Sequence, residues 1–231
     1  MDKTELFLEK YKELESAAVS CLGMEDDGHA VANLERRREF SDVRMELSYC
    51  RDVRNLLSHR MRVSGSFAVQ PSDAMIALLD DMIRRIKHPT RLKDIAHNAN
   101  NILRADAETD VFTLMGRMQK RGISHVPVIK DGRVCGVFSM HTAFMCILGE
   151  RPLCEGSLKI GDISDLTAPD AHGSESYVFM RERDTLADAE SMSEKCAQEH
   201  KRIGLFLLTS DGSPAGRLLG ILTPWDVLAA K

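Results

Sequence analysis

The sequence predicts an α+β protein, an N-terminal helical bundle followed by two copies of one mixed strand-and-helix unit. Three observations carry that prediction. Apolar residues in the first 90 positions recur at three- and four-residue steps, with no strand pattern among them. From about residue 91, short β-branched runs alternate with single helices. The second stretch also repeats itself at countable offsets.

In the helical part, Phe7, Tyr11, Leu14, Ala18 and Cys21 mark one face of a first helix. After the Gly23–Gly28 loop, Phe40, Val43, Leu47, Cys50, Val53 and Leu57 continue the pattern over about five turns. A break over Met61–Pro71, with Gly65 inside it, precedes Ser72, which is placed to cap a last helix. That helix carries Met75, Leu79, Met82 and Ile86 and ends before Pro89. Amphipathic helices on short links pack as a bundle.

The repeat begins with two hairpins. Val126-Pro127-Val128-Ile129, the Asp131-Gly132 turn and Val134–Phe138 form one. Leu205–Leu208, Asp211-Gly212 and Leu218–Leu222 form the other. The turns match at an offset of 80, and Arg133–Thr142 match Arg217–Asp226 at 84, so the second loop is four residues longer. Upstream, Val111–Leu114 pair with Leu186–Ala189 at 75. Two strand–helix–strand–strand–helix units fill residues 91–231, divided as 91–155 and 156–231.

Composition narrows the function classes. Hydrophobic residues at 43% and charged residues at 29% describe a folded chain. A net charge of −4 supplies no general field for nucleic acid. The six cysteines form no C-x-x-C pair, so no structural metal is expected, and no cofactor is required. No apolar run is long enough to span a membrane, and the opening residues lack the core of a signal peptide. A cytoplasmic setting with reduced thiols is the expectation. The P-loop, G-x-S-x-G and H-E-x-x-H strings are missing, which excludes those enzyme classes.

Each copy ends in a strand running into a helix, Gly136–Thr142 in the first and Gly220–Asp226 in the second. A hydroxyl at the strand end and a carboxylate three residues on suit phosphate and ribose hydroxyls. Gly220-Ile221-Leu222-Thr223-Pro224-Trp225-Asp226, with the Val126-Pro127-Val128 strand, resembles the signature of the CBS domain family. The resemblance covers roughly residues 91–231 and implies a pseudo-symmetric pair with two clefts for AMP, ADP, ATP or S-adenosylmethionine. The ribose-binding aspartate of that family is present as Asp226 but replaced by Thr142 in the first copy. A threonine has no charge and a single hydroxyl. One competent cleft is therefore expected, on Thr223 and Asp226, while the cleft on Ser139 and Thr142 is empty or takes something else. The resemblance further implies that Asn100 and Leu103 on the first strand, Ile123 and Ser124, and Ile221 surround the base. It also implies a homodimer, which Phe144, Met145 and Ile147 would serve. Trp225, inside the motif, is expected to pack.

In the helical part, Arg54, Asn55 and His59 resemble the R-x(4–6)-H motif of the HEPN superfamily, many of whose members are metal-independent ribonucleases. Histidine can take a proton from a 2′-hydroxyl and arginine can stabilise the charge that develops. Arg44, Arg51, Arg60 and Arg62 add positive charge nearby. Residues 1–90, however, hold 14 Lys and Arg against 16 Asp and Glu, a net of −2, where an RNA-cleaving surface is basic. The leading expectation is a nucleotide sensor that signals through its helical domain to a protein partner. A ligand-gated ribonuclease acting on RNA and a ligand-free dimerisation scaffold are the alternatives.

Overall fold

The amphipathic stretches of the first 90 residues are helices in the computed structural model, which describes residues 2–59, 67, 69–151, 153–171 and 175–230. The chain divides into two units, Met1–Thr90 and Arg91–Lys231. In the first, α1 (Lys3–Leu22) ends where Gly23 adopts φ 64°, a left-handed cap suited to glycine. Then come α2 (Ala30–Arg36), a 3₁₀ turn (Arg38–Val43), α3 (Arg44–His59) and α4 (Asp73–Lys87). Ser72 caps α4, its hydroxyl accepting from the Met75 N–H at 3.3 Å. Phe7, Leu14, Leu34, Leu47, Leu79 and Met82 form the fully buried centre.

Two details depart from the periodicity. The apolar face from Phe40 to Leu57 is not one helix, because Phe40 leaves helical geometry (φ −117°, ψ 19°) inside the 3₁₀ turn. The seven-residue α2 was too short to register as a period, yet it buries Ala30, Val31 and Leu34. Within the expected break, positions 61–66 and 68, Arg62 and Gly65 among them, lie outside the described residues, as does Arg60.

The second unit runs α5 (Leu92–Ile95), β1 (His97–Asn98), α6 (Val111–Arg121), β2 (His125–Lys130), β3 (Arg133–Ser139) and α7 (Met140–Leu148). A 3₁₀ turn (Ile160–Ile163) leads to α8 (Ser164–Thr167), β4 (Glu175–Arg181), α9 (Leu186–Gln198), β5 (Arg202–Thr209), β6 (Leu218–Leu222) and α10 (Pro224–Ala229). One sheet has the order β1-β6-β5-β4 and the other is the β2-β3 hairpin. Asp131 and Gly132 both take positive φ, 51° and 78°, as a two-residue hairpin turn requires.

The repeat unit is not arranged as its sequence order suggests. The first copy's opening strand is reduced to Ala105, bridged in parallel to Val128. The strand expected there, β1, pairs antiparallel with β6 of the second copy, His97 opposite Ile221 and Asn98 opposite Gly220. Asn100 and Leu103 consequently do not stand on the first strand. Asn100 is in the turn after β1, and Leu103 is buried in the first copy's core.

Each copy is closed by the segment that precedes the other. Leu92 donates its N–H to Asp184 O (2.9 Å) and its side chain is fully buried among Val178, Met180, Phe206 and Leu222 of the second copy. Ile160 likewise donates to Thr109 O (3.0 Å), and Leu158, Ile160 and Ile163 fill the first copy's core with Leu103, Val111 and Phe138. A third core, with Val137, Tyr177, Leu205, Leu207 and Ile221, joins the copies. Leu92→Ala should therefore destabilise the second copy although it lies outside it in sequence. We expect a loss of about 2–5 kcal/mol in urea unfolding; a loss below about 1 kcal/mol would mean that Leu92 does not close that core.

Candidate functional site

Both strand-to-helix junctions begin with a glycine whose missing side chain makes room for backbone. A Cβ on Gly220 would lie 2.9 Å from the His97 carbonyl oxygen, and one on Gly136 would lie 2.7 Å from that of Thr167. The crossing segments pass so close that any larger residue would push them off the sheet. That approach delivers His97 to the second junction.

At the second junction Thr223 and Asp226 form a capping box. The Thr223 N–H and hydroxyl both donate to Asp226 Oδ2 at 2.7 Å, and Asp226 N–H returns to Thr223 Oγ1 at 3.4 Å. Pro224 occupies the first turn, where its lack of an N–H costs nothing. The other carboxylate oxygen, Oδ1, faces His97 Nε2 at 3.2 Å. Partial burial pushes the Asp226 pKa up, but the Thr223 donors and then His97 outweigh it, so the carboxyl titrates below its ordinary value. At neutral pH it is an anion with one oxygen committed to the cap and one turned to a histidine.

The first junction uses the same cap and has a different surrounding. Ser139 N–H donates to Thr142 Oγ1 at 3.1 Å and Thr142 N–H to Ser139 Oγ at 3.2 Å. Both residues are 1% exposed. The space in front of them holds side chains of the chain itself. Tyr177 of β4 hydrogen-bonds Ser139 and donates its hydroxyl to Glu175 Oε2 at 3.2 Å. Its ring meets that of His125 edge-on, with centroids 6.1 Å apart. Burial, then the Glu175 carboxylate, pushes the phenol pKa upward, so Tyr177 remains a donor at all ordinary pH.

His125 completes this cluster. Its Nδ1 meets the Ser124 hydroxyl at 2.9 Å, while Nε2 is buried 3.5 Å from Glu175 Oε2, inside ion-pair range but without a hydrogen bond. Gly204 makes the space for both rings, since a Cβ there would fall 2.8 Å from Tyr177 Cε1 and 2.9 Å from His125 Nε2. Tyr177, Glu175 and His125 thus cluster beside Ser139, at the junction expected to be empty or to take something else.

Of the other residues singled out, Ile221 is buried in the core between the copies, Ile123 is half-buried, and Ser124 accepts the Met140 N–H on its carbonyl. Asn100 lines a separate recess with Arg104 and Arg217, whose walls include neither Thr223 nor Asp226. Trp225, expected to pack, is 77% exposed. His97 was missed because it stands 129 residues from Asp226. Its signal was nonetheless present: Leu92-Lys93-Asp94-Ile95 matches Ile160-Gly161-Asp162-Ile163 at an offset of 68.

Residues 92–149 match the CBS domain. That match covers the first copy and stops before the second. Among solved CBS structures, CBSX2 in complex with AMP is 19% identical, covering 61% of this chain and 95% of that one at a TM-score of 0.43. The CBS domain protein NE2398 is 14% identical, over 62% and 98%, at a TM-score of 0.46. The CBS domain pair of protein MJ0100, in complex with 5′-methylthioadenosine and S-adenosyl-L-methionine, is 15% identical over 61% and 98%, at 0.43. No curated protein matches the chain.

In the helical unit, Arg54 is engaged by α1. Its guanidinium lies 5.4 Å from the centroid of the Tyr11 ring, 3.6 Å from Glu15 Oε1, and donates to Asn55 Oδ1 at 3.2 Å. His59 ends α3, and its side chain lies outside the described residues. Among the described residues no cluster of His, Cys, Asp or Glu could hold a metal ion, and no helix is long and apolar enough to cross a membrane.

Gly204 offers a direct test of the cluster beside Ser139. Gly204→Ala should cost about 1–3 kcal/mol in chemical denaturation, because neither ring has room to retreat. An unchanged midpoint would show the cluster to be loosely packed.

Proposed function

We propose that residues 91–231 act as a CBS-domain pair that binds one adenine nucleotide per chain (AMP, ADP or ATP, or the related S-adenosylmethionine) and signals through the helical unit. The observation that carries this reading is the contrast between the two junctions. Asp226 is ionised and partly exposed, whereas Thr142 is uncharged and buried. A ribose diol needs an anionic acceptor, and Asp226 Oδ1 supplies one. Thr223 orients that carboxylate through its two bonds to Oδ2. Ile221, Ile123 and Ser124 are assigned to the walls around the base. His97 gives up its contact with Oδ1 when the ribose arrives.

The scaffold reading draws on the same cap. Thr223 and Asp226 satisfy one another and close α10 without any ligand. Calorimetry with AMP, ADP, ATP and S-adenosylmethionine separates the two. We expect one site per chain, weakened roughly ten- to a hundred-fold by Asp226→Ala and little by Thr142→Ala. No heat from any ligand favours the scaffold, and two equal sites would refute the asymmetry. The ribonuclease reading is weakened by the contacts that tie Arg54 to Tyr11 and Glu15.

The same unit is proposed to dimerise. On α7, Met140, Phe144, Ile147 and Leu148 are exposed along one face while Thr142, Ala143 and Cys146 are buried on the other. On α10, Trp225 and Leu228 are exposed in the same way. Apolar helical faces of this extent are stabilised by burial against a second copy. Light scattering should give twice the 25.8 kDa chain mass at micromolar concentration, returning towards 25.8 kDa in Phe144→Asp. A wild-type mass near 25.8 kDa would remove the dimer.

A further inference from the structure

We infer that the recess between the turn after β1 and the two hairpins is a second binding site, distinct from the Asp226 junction, for a small phosphate-bearing anion. It has a volume of about 380 Å³ and is walled by Asn98, Asn100, Arg104 and Arg217, with Ile129, Gly132 and the start of β6 as its floor. No acidic residue lines it. Among the described residues, neither the Arg104 nor the Arg217 guanidinium pairs with a carboxylate or donates to another group.

The fold holds these groups in position. Arg217 is fixed by its backbone, bridged antiparallel to Arg133, and its stem lies over Gly132, where a Cβ would meet Arg217 Cγ at 3.4 Å. The next residue, Leu218, donates its N–H to Gly132 O at 2.9 Å. Arg104 precedes Ala105, which is clamped between Pro127 O and the Ile129 N–H. The Asn98 side-chain oxygen accepts the Asn100 N–H at 2.9 Å, which fixes the Asn98 carboxamide beside the recess that both asparagines line.

Two arginines line one concavity, in a chain of net charge −4, with no carboxylate in its lining to balance their like charges. A bound anion balances them. Guanidinium forks match the oxygens of a phosphate bidentately, and two of them with two carboxamides suit a phosphate better than a single carboxylate. Because the recess is open to water, binding there weakens as salt rises.

The test uses the full chain and sodium pyrophosphate as probe, in calorimetry at low ionic strength. Wild type should show one saturable site, weakened about tenfold or more in Arg104→Ala and in Arg217→Ala, and unchanged in Asp226→Ala. Thermal melts verify that each variant is folded, and Arg217→Lys, which keeps the stem over Gly132, should still lose part of the affinity because it lacks the fork. AMP added to the pyrophosphate-saturated protein should not displace it. Absence of saturable pyrophosphate binding, full affinity in the double arginine variant, loss of affinity in Asp226→Ala, or displacement by AMP would each overturn the site. Failure of AMP to bind at all, with pyrophosphate still bound through the arginines, would count against the nucleotide reading alone.

Discussion

The contact on which the second unit depends is the passage of a backbone carbonyl over a glycine, Thr167 over Gly136 and His97 over Gly220. Without a Cβ, each final strand lets the crossing segment lie against it, and the segment then closes the opposite copy with Leu92 or Ile160. The pairing of β1 with β6, the shared core between the copies and the placement of His97 beside Asp226 all follow. The glycine of the repeated junction is thus a requirement of packing first. Its chemistry comes from what the packing brings near.

From this common frame the two junctions diverge by a few side chains. Both are closed by a reciprocal cap between a hydroxyl and the residue three positions on. In one, that residue is an aspartate with a second oxygen to spare. In the other it is a threonine whose hydroxyl is used up by the cap, and β4 brings Tyr177 and Glu175 beside it. Where one junction keeps a carboxylate oxygen to spare, the other has an uncharged cap beside an aromatic ring and its carboxylate partner.

What could be read from the sequence was what depends on neighbours in the chain. The Asp131-Gly132 hairpin, the Ser72 cap and the last strand of each copy were legible because turns, caps and alternation are local. The two-residue β1 and the seven-residue α2 were not, being shorter than a period. The exchange of closing segments was hidden for another reason. Offsets of 75, 80 and 84 relate equivalent positions but say nothing of which copy a flanking segment packs on. His97 reaches Asp226 through that exchange and Tyr177 reaches Ser139 through the core shared by the copies, so both escaped a reading made copy by copy. Leu103, assigned to a ligand wall from its position in the repeat, is buried in the first copy's core.

The exchanged segments also bear on what half of the unit lacks when alone. Residues 103–148 by themselves lack Leu158, Ile160 and Ile163, so a lone copy carries an apolar hole in its side. Such a unit is completed by the leading segment of another molecule, in the manner of a swapped dimer. Joining two copies in tandem turns that encounter between molecules into a tethered one, at a high and permanent local concentration. Within one chain the halves can differ, with Asp226 in one cap and Thr142 in the other, because neither has to be its own mirror partner.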